Sequence, residues 1–144
     1  MTASATIAIL QGPNAPLEDV GARLRDWGHE VRSGIDPAEV LWPDTDVIVV
    51  DAALEDGMAI VGWLKAEPAT KNIPLVAATL DDPGTVAAHA LALGADDVLT
   101  LPVEDAELFA RVRALSRLAV METERHRRER VLAEFRPSGA GAVV

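Results

Sequence analysis

The sequence has no cysteine, which excludes disulfide bonds, thiol catalysis and thiolate metal sites. It also has no apolar run close to the roughly 20 residues that a membrane-spanning helix requires. Residues 1–4 lack the basic start and the long apolar stretch of a secretory signal peptide. These absences together predict a soluble, cytoplasmic protein.

Positive charge is also scarce. The chain has 13 lysines and arginines against 23 aspartates and glutamates, which gives a formal net charge of −10. Nucleic-acid phosphates are bound by clustered Lys and Arg side chains, so we expect no DNA or RNA partner. The same excess of negative charge argues against binding to an anionic membrane surface.

Two further kinds of site are missing. Residues 11–13 contain one glycine, and the proline among them lacks the N–H that a phosphate-binding loop would need. The three histidines, His29, His89 and His126, are far apart and do not have the spacing of metal ligands. We therefore expect neither a phosphate loop nor a histidine metal site.

The most informative stretch that is present is an apolar strand. Residues 46–51 read Asp-Val-Ile-Val-Val-Asp, so four β-branched residues stand between two carboxylates. Such a run is typical of a strand covered on both faces, as at the centre of a parallel sheet. In open α/β sheets the chemistry collects at the carboxyl ends of the strands, and Asp51 lies at such an end.

The rest of the chain alternates between strand-like and helix-like segments. Short apolar runs predict four further strands, at 6–10, 29–32, 73–78 and 97–101. Capped or amphipathic segments predict five helices, at about 16–27, 36–42, 57–66, 82–93 and from 104 to beyond 118. Asp36-Pro37 and Asp82-Pro83 are predicted to cap the second and fourth of these helices. This alternation predicts an α/β three-layer sandwich around a five-stranded parallel sheet. We expect one domain over 5–120, followed by a helical extension and linker-like tail over 121–144.

The last helix carries more apolar surface than one sheet needs. Four residues at a 4-3-4 spacing are predicted to pack on the sheet: Leu108, Val112, Leu115 and Ala119. Because a helix that outruns its domain often pairs with a partner, we also expect a homodimer through the fourth helix, fifth strand and fifth helix. The residues predicted for its contact face are Leu108, Val112, Leu115 and Leu118. The heptad pattern fails after Met121, which argues against a long coiled coil.

Several stretches together are specific enough to suggest a family. Residues 44–51, 73–79, 94–102 and 107–115 closely resemble, in the same order, parts of response-regulator receiver domains. The resemblance covers about residues 5–118 and implies a flavodoxin-like sheet with strand order 2-1-3-4-5. The last helix looks most like that of the first receiver in PleD-type or PopA-type regulators, which carry tandem receivers ahead of a cyclic-di-GMP-related output domain.

The resemblance also implies roles for individual residues. Asp51 matches the phosphoryl acceptor at the end of the third strand, and Thr79 matches the residue that senses the phosphoryl group. Four other positions of the pocket are degenerate here. Gln11 and Gly12 stand at the positions of the family's acidic Mg²⁺-binding pair. Leu101 replaces the lysine that pairs with the phosphoryl oxygens, and Val98 replaces the aromatic residue that reports the switch.

These replacements remove the parts that make phosphoryl transfer fast. Transfer depends on a metal and a fixed cation that take up the developing negative charge. Mg²⁺ prefers carboxylates and waters, whereas Gln11 offers a neutral amide and Gly12 no side chain. Leu101 supplies no positive charge. Each lost electrostatic contact commonly raises the barrier by about 3–4 kcal/mol, so we expect negligible self-catalysed phosphorylation of Asp51 and no magnesium cofactor.

We therefore expect a pseudo-receiver. This is a bacterial receiver fold that is not an enzyme and that works by binding protein partners and by dimerising. Two other interpretations stay open. A partner kinase could phosphorylate Asp51 and so regulate an output domain such as a cyclic-di-GMP-related one. Alternatively, the acidic loop residues could form a cation or ligand site, although a helix cap at Asp82 and solvated side chains at the other positions explain them better. They are Glu55, Asp56, Asp81 and Asp82.

Overall fold

Five parallel strands form a single sheet in the computed structural model, which describes residues 4–40, 44–80 and 84–135, with side chains as far as Met121. The strands are β1 (Thr6–Leu10), β2 (Glu30–Gly34), β3 (Val47–Asp51), β4 (Leu75–Leu80) and β5 (Asp97–Leu101). Their order across the sheet is β2-β1-β3-β4-β5, and every neighbouring pair is parallel. All five residues of β3 are buried, as its β-branched run predicts. The predicted fold class and strand order are confirmed.

Helices cover both faces of the sheet. They are α1 (Glu18–Asp26), α2 (Pro37–Val40), α3 (Gly57–Ala66), α4 (Thr85–Ala92) and α5 (Asp105–Phe135). One buried cluster joins α1 and α5 to one face of the sheet. A second cluster joins α2, α3 and α4 to the other face. Alternate strand residues enter the two clusters, Val49 the first and Val50 the second, because successive side chains point to opposite faces.

Two strands, β4 and β2, differ in their bounds from the sequence prediction. β4 begins at Leu75 rather than at residue 73 and runs on to Leu80. Pro74 has no N–H for the sheet, but its carbonyl accepts the N–H of Ile48 at 2.9 Å. β4 extends at its other end because Thr79 and Leu80 pair with β5. β2 likewise reaches Gly34, two residues beyond the predicted end.

The helix boundaries largely follow their caps. Asp36 accepts the N–H of Ala38 at 2.9 Å at the start of the four-residue α2, as predicted. Gly28, with a φ of 96°, follows the end of α1. α3 has the predicted bounds. The predicted Asp82-Pro83 cap of α4 lies outside the described residues.

The long helix α5 packs on the sheet through the predicted four residues. Leu108, Val112, Leu115 and Ala119 are all buried. Their burial corrects the predicted dimer face: Leu108, Val112 and Leu115 already contact the core of their own protomer and are not free for a partner. Leu118 is half-buried, whereas Val120 and Met121 are exposed. α5 is continuous past residue 120, and the division into 5–120 and 121–144 stays a prediction.

Within the described residues, no helix combines the length and the apolar character needed to cross a membrane, and this includes the 31-residue α5.

Candidate functional site at the carboxyl end of the sheet

Asp51 ends the central strand and lies almost entirely below the surface, with 7% of its area exposed. One carboxylate oxygen, Oδ1, accepts the N–H of Ala53 at 2.9 Å, which closes a tight turn after β3. Gly57 packs against the same turn so closely that a Cβ there would lie 2.9 Å from the carbonyl oxygen of Asp51. The turn therefore holds this carboxylate in one place.

Gln11 stands where the family has an acidic metal ligand, and its side chain has a structural role. It is buried, and its Oε1 accepts the N–H of Leu17 at 2.7 Å. Leu17 immediately precedes α1, whose first N–H groups have no partner within the helix. The amide oxygen that could have faced a cation is thus used to cap a helix.

Gly12, the second position of the acidic pair, lies against an apolar side chain. A Cβ added at Gly12 would be 3.3 Å from Cδ1 of Leu54 in the loop after β3. Leu54 therefore occupies the region that a longer side chain at position 12 would have to enter. The sequence pattern did not indicate this contact, because the two residues are far apart in the chain.

Leu101 and Thr79 lie on the neighbouring strands β5 and β4. Leu101 is half-buried and packs against the core cluster beneath α1 and α5. Thr79 is buried and pairs with Thr100 in the β4–β5 ladder. Val98 packs against the cluster on the opposite face of the sheet. The structure therefore groups Asp51, Thr79 and Leu101, and it separates Val98 from them.

Residues of this group line a cleft of about 860 Å³ at the carboxyl end of the sheet. Of the predicted site residues, Gly12, Asp51, Thr79 and Leu101 line it, whereas Gln11 and Val98 do not. Most of the remaining lining is apolar: Pro13, Pro16, Val20, Ile35, Leu54, Leu80, Pro102 and Val103. Ile35 and Leu80 are more than half exposed at the rim. The cleft is therefore largely apolar.

Arg23 is the only basic residue among the described residues that line the cleft, and no motif in the sequence marks it. Its guanidinium donates to the carbonyl oxygen of Val103 at 2.8 Å and to Asp105 Oδ1 at 3.0 Å, and it forms an ion pair with Asp19 at 2.9 Å. Only the Asp19 pair, four residues away on the same helix, could have been found from spacing. Arg23 therefore ties α1 to the start of α5.

The acidic loop residues do not form a metal centre in the part of the chain that the structure describes. There, no three Asp, Glu or His side chains come close enough together to hold an ion. Glu55 and Asp56 are exposed, and Asp56 adopts a left-handed backbone conformation just before α3. Asp81 and Asp82 lie outside the described residues. The proposed cation cluster thus gains no support from the two members that can be placed.

The two histidines whose side chains the structure describes, His29 and His89, do not share a site. His29 is buried, and its Nδ1 accepts the N–H of Ala5 at 3.0 Å, at the amino end of the sheet. His89 is exposed on α4. The side chain of His126 lies outside the described residues.

Comparison with known proteins identifies the family. No protein-family model matches the chain. The response regulator PleD from Caulobacter vibrioides is 33% identical over 132 residues, which is 88% of this chain and 29% of PleD. The chain is a response-regulator receiver domain. It spans only about three tenths of the length of PleD.

Solved structures agree with this receiver fold. A response regulator from Chloroflexus aurantiacus superposes with a TM-score of 0.70 at 24% identity, over 79% of this chain and 98% of that one. NtrX from Brucella abortus superposes with a TM-score of 0.73 at 20% identity, over 93% of this chain and 29% of NtrX. At these identities the two structures support the fold alone.

Proposed function

We propose that this receiver is a pseudo-receiver: a module of a bacterial two-component-type regulator that binds protein partners without magnesium-dependent phosphorylation of Asp51. The observation that carries the proposal is the use made of the former metal-binding positions. Gln11 caps α1, and Leu54 lies against Gly12. Neither position presents a carboxylate to a cation, and Mg²⁺ is bound in proteins mainly through carboxylates and phosphate.

The loss of the lysine acts in the same direction. Leu101 packs on the core and brings no charge, and Arg23 is engaged by Asp19 and Asp105. Arg23 is the one cation among the described residues that line the cleft, and its ion pairs compete with any phosphoryl group on Asp51. Electrostatic stabilisation of this kind is usually the largest part of such catalysis. As part of the same proposal, the receiver belongs to a longer cytoplasmic regulator with an output domain such as a cyclic-di-GMP-related one. The similarity to PleD, a response regulator of which this chain spans 29%, supports the longer regulator.

Incubation with acetyl phosphate and Mg²⁺, followed by intact-mass measurement, tests the proposal. We expect no phosphoryl adduct on the wild-type chain, while a receiver with a complete acidic pair and lysine is labelled in parallel. An adduct that appears on the wild type and is absent from Asp51→Asn would overturn the proposal.

One observation favours a second candidate, a working phospho-acceptor. Asp51 and Thr79 both remain at the ends of their strands, and both line the cleft. A partner kinase or phosphotransferase that brings its own catalytic groups could still charge Asp51. Transfer of radiolabelled phosphate from a purified kinase of the same organism to the wild type but not to Asp51→Asn would favour this candidate.

We also propose that the receiver forms a homodimer through α4, β5 and α5, with a face smaller than the sequence suggested. Among the described residues of these elements, the large apolar side chains left exposed are Leu91 on α4 and Val120 and Met121 on α5, and Leu118 is half-buried. Light scattering at tens of micromolar tests this, with the double variant Val120→Glu, Met121→Lys as the disrupted form. A monomer in the wild type would contradict it.

A further inference from the structure

The buried carboxylate of Asp51 has an unusual environment for a charged group. It is 93% buried by area, since 7% is exposed, and its one hydrogen bond within the described chain comes from the N–H of Ala53. No basic side chain of the described residues forms an ion pair with it. Burying a carboxylate with so few partners is costly, and a cation brought to it from outside would offset that cost.

The cleft around Asp51 has the size and character of a small-molecule site. Its volume of about 860 Å³ falls in the range of roughly 300–1,000 Å³ that is typical for ligand pockets. Its lining is mainly proline, leucine, isoleucine and valine. A mostly apolar pocket with a few placed polar groups is the usual form of a ligand site.

The charges at the cleft select the sign of the ligand. Asp51 and Glu55 line it, and Arg23 is already paired with two carboxylates. An anionic ligand would meet uncompensated carboxylates, whereas a cation would be attracted both by Asp51 and by the net charge of −10. A hydrated metal ion would gain little from the apolar walls.

We infer that the cleft binds a small amphiphilic amine, with the ammonium group at Asp51 and the apolar body against Leu54, Leu80 and Leu101. This inference rests on the proposed function, because an intact magnesium site would compete for the same carboxylate. The ammonium supplies the positive charge that Leu101 no longer provides, and the hydrocarbon body displaces water from apolar walls.

Titration of the full chain with n-octylamine at pH 7, followed by NMR and calorimetry, tests the inference. We expect saturable binding with a dissociation constant of about 1 mM or lower, as befits a ligand of this size. Neutral n-octanol should bind at least tenfold more weakly, and octanoate should not bind. No saturable octylamine binding, or equal binding of octylamine and octanol, would overturn the inference.

Substitutions in the cleft test where octylamine binds. Asp51→Asn should weaken octylamine binding about tenfold or more and leave octanol unchanged, whereas Asp26→Asn, an equal charge change on the exposed end of α1, should have no effect. Leu80→Trp changes a residue that is 69% exposed, so it should fold normally while it narrows the cleft and weakens both ligands. Unchanged octylamine binding in either Asp51→Asn or Leu80→Trp would contradict the assigned site.

Competition with Mg²⁺ distinguishes the proposed amine site from the proposed pseudo-receiver function on which it rests. Displacement of octylamine by millimolar Mg²⁺ would show that Asp51 still holds a metal, which would contradict the proposed pseudo-receiver while supporting a cation site at Asp51. Failure of octylamine to bind, together with the absence of an acetyl phosphate adduct, would leave the pseudo-receiver standing and remove the ligand.

Discussion

The two sides of the cleft differ in how far their residues match those of a phosphorylatable receiver. On the β3–β4 side, Asp51 and Thr79 keep the residue types of a phosphorylatable receiver at the ends of their strands. On the β1 and β5 side, Gln11 is a helix cap, Gly12 lies against a leucine, and Leu101 belongs to the core. Each replacement has acquired a packing or capping role. The receiver fold therefore does not need its phosphoryl chemistry to hold this edge together, and four substitutions of decreasing effect can test that comparison.

Gly57→Ala should have the largest effect, on the side that kept its chemistry. Its Cβ would lie 2.9 Å from the carbonyl oxygen of Asp51, a backbone atom that cannot move without shifting β3. We expect a loss of about 2–3 kcal/mol in the free energy of unfolding, measured in urea. Gly62→Ala, where the nearest atom is a leucine methyl group at 3.5 Å, is the matched control and should lose little. Equal losses in both variants would contradict the tight turn.

Gln11→Met tests the other side. The substitution keeps the volume but removes the oxygen that accepts the N–H of Leu17, which is then buried without a partner. We expect destabilisation of about 1–2 kcal/mol in chemical unfolding. Asn14→Ala, at an exposed position in the same loop, should stay within about 0.5 kcal/mol of the wild type. A neutral Gln11→Met would mean that this position is not structural.

His29, at the opposite end of the sheet from the cleft, should make the stability of the fold depend on pH. Burial lowers the pKa of His29 below its ordinary value of 6.5, and its Nδ1 must stay unprotonated to accept the N–H of Ala5. As the pH falls below 6.5, the unfolded chain binds a proton before the folded chain does, so stability falls. The loss of stability is complete once the pH is below the pKa of His29 in the folded state. It amounts to about 1.4 kcal/mol for each pH unit by which folding lowers that pKa.

Urea unfolding at pH 7.5 and pH 5.5 measures this effect. The wild type should lose more stability between the two values than His29→Gln, which keeps an acceptor but does not titrate. His89→Gln, at an exposed position, should behave as the wild type does. Parallel losses in His29→Gln and the wild type would assign the pH dependence to other groups.

The smallest expected effect compares one loop from each side of the cleft. Ala15 after β1 and Asp56 after β3 both have positive φ, at 49° and 61°. Glycine relieves the strain of this conformation, which is greater for alanine than for aspartate. We therefore expect Ala15→Gly to raise the free energy of unfolding by about 0.5–1 kcal/mol and Asp56→Gly to change it less. The reverse order in thermal unfolding would contradict this.

Much of the fold could be predicted because it depends on local patterns. The β-branched run of β3, the Asp36 cap and the 4-3-4 spacing of α5 each express a short-range physical preference that the chain carries in adjacent residues. The resemblance to receivers added the strand order and the positions of Asp51 and Thr79. These features needed no knowledge of which distant segments touch.

The character of the site could be predicted only in part. That Gln11 and Gly12 offer no carboxylate to a metal ion, and Leu101 no positive charge to a phosphoryl group, follows from their chemistry alone. What those residues do instead depends on contacts between segments far apart in the chain, such as Gly12 with Leu54. The predicted dimer face was wrong at three of its four residues for a related reason, since periodicity marks an apolar stripe without saying whether a sheet or a partner covers it.

The sequence by itself determined the layered α/β architecture, the buried central strand, and the residue types that stand at the positions of the acidic pair and the lysine, because residue type and spacing are sufficient for each. Only the tertiary structure decided that the remaining carboxylate lies in a largely apolar cleft and that Arg23 is engaged elsewhere, by Asp19 and by the start of α5. Burial and pairing arise only when folding brings distant groups together, and Arg23 and Asp105 are 82 positions apart in the sequence.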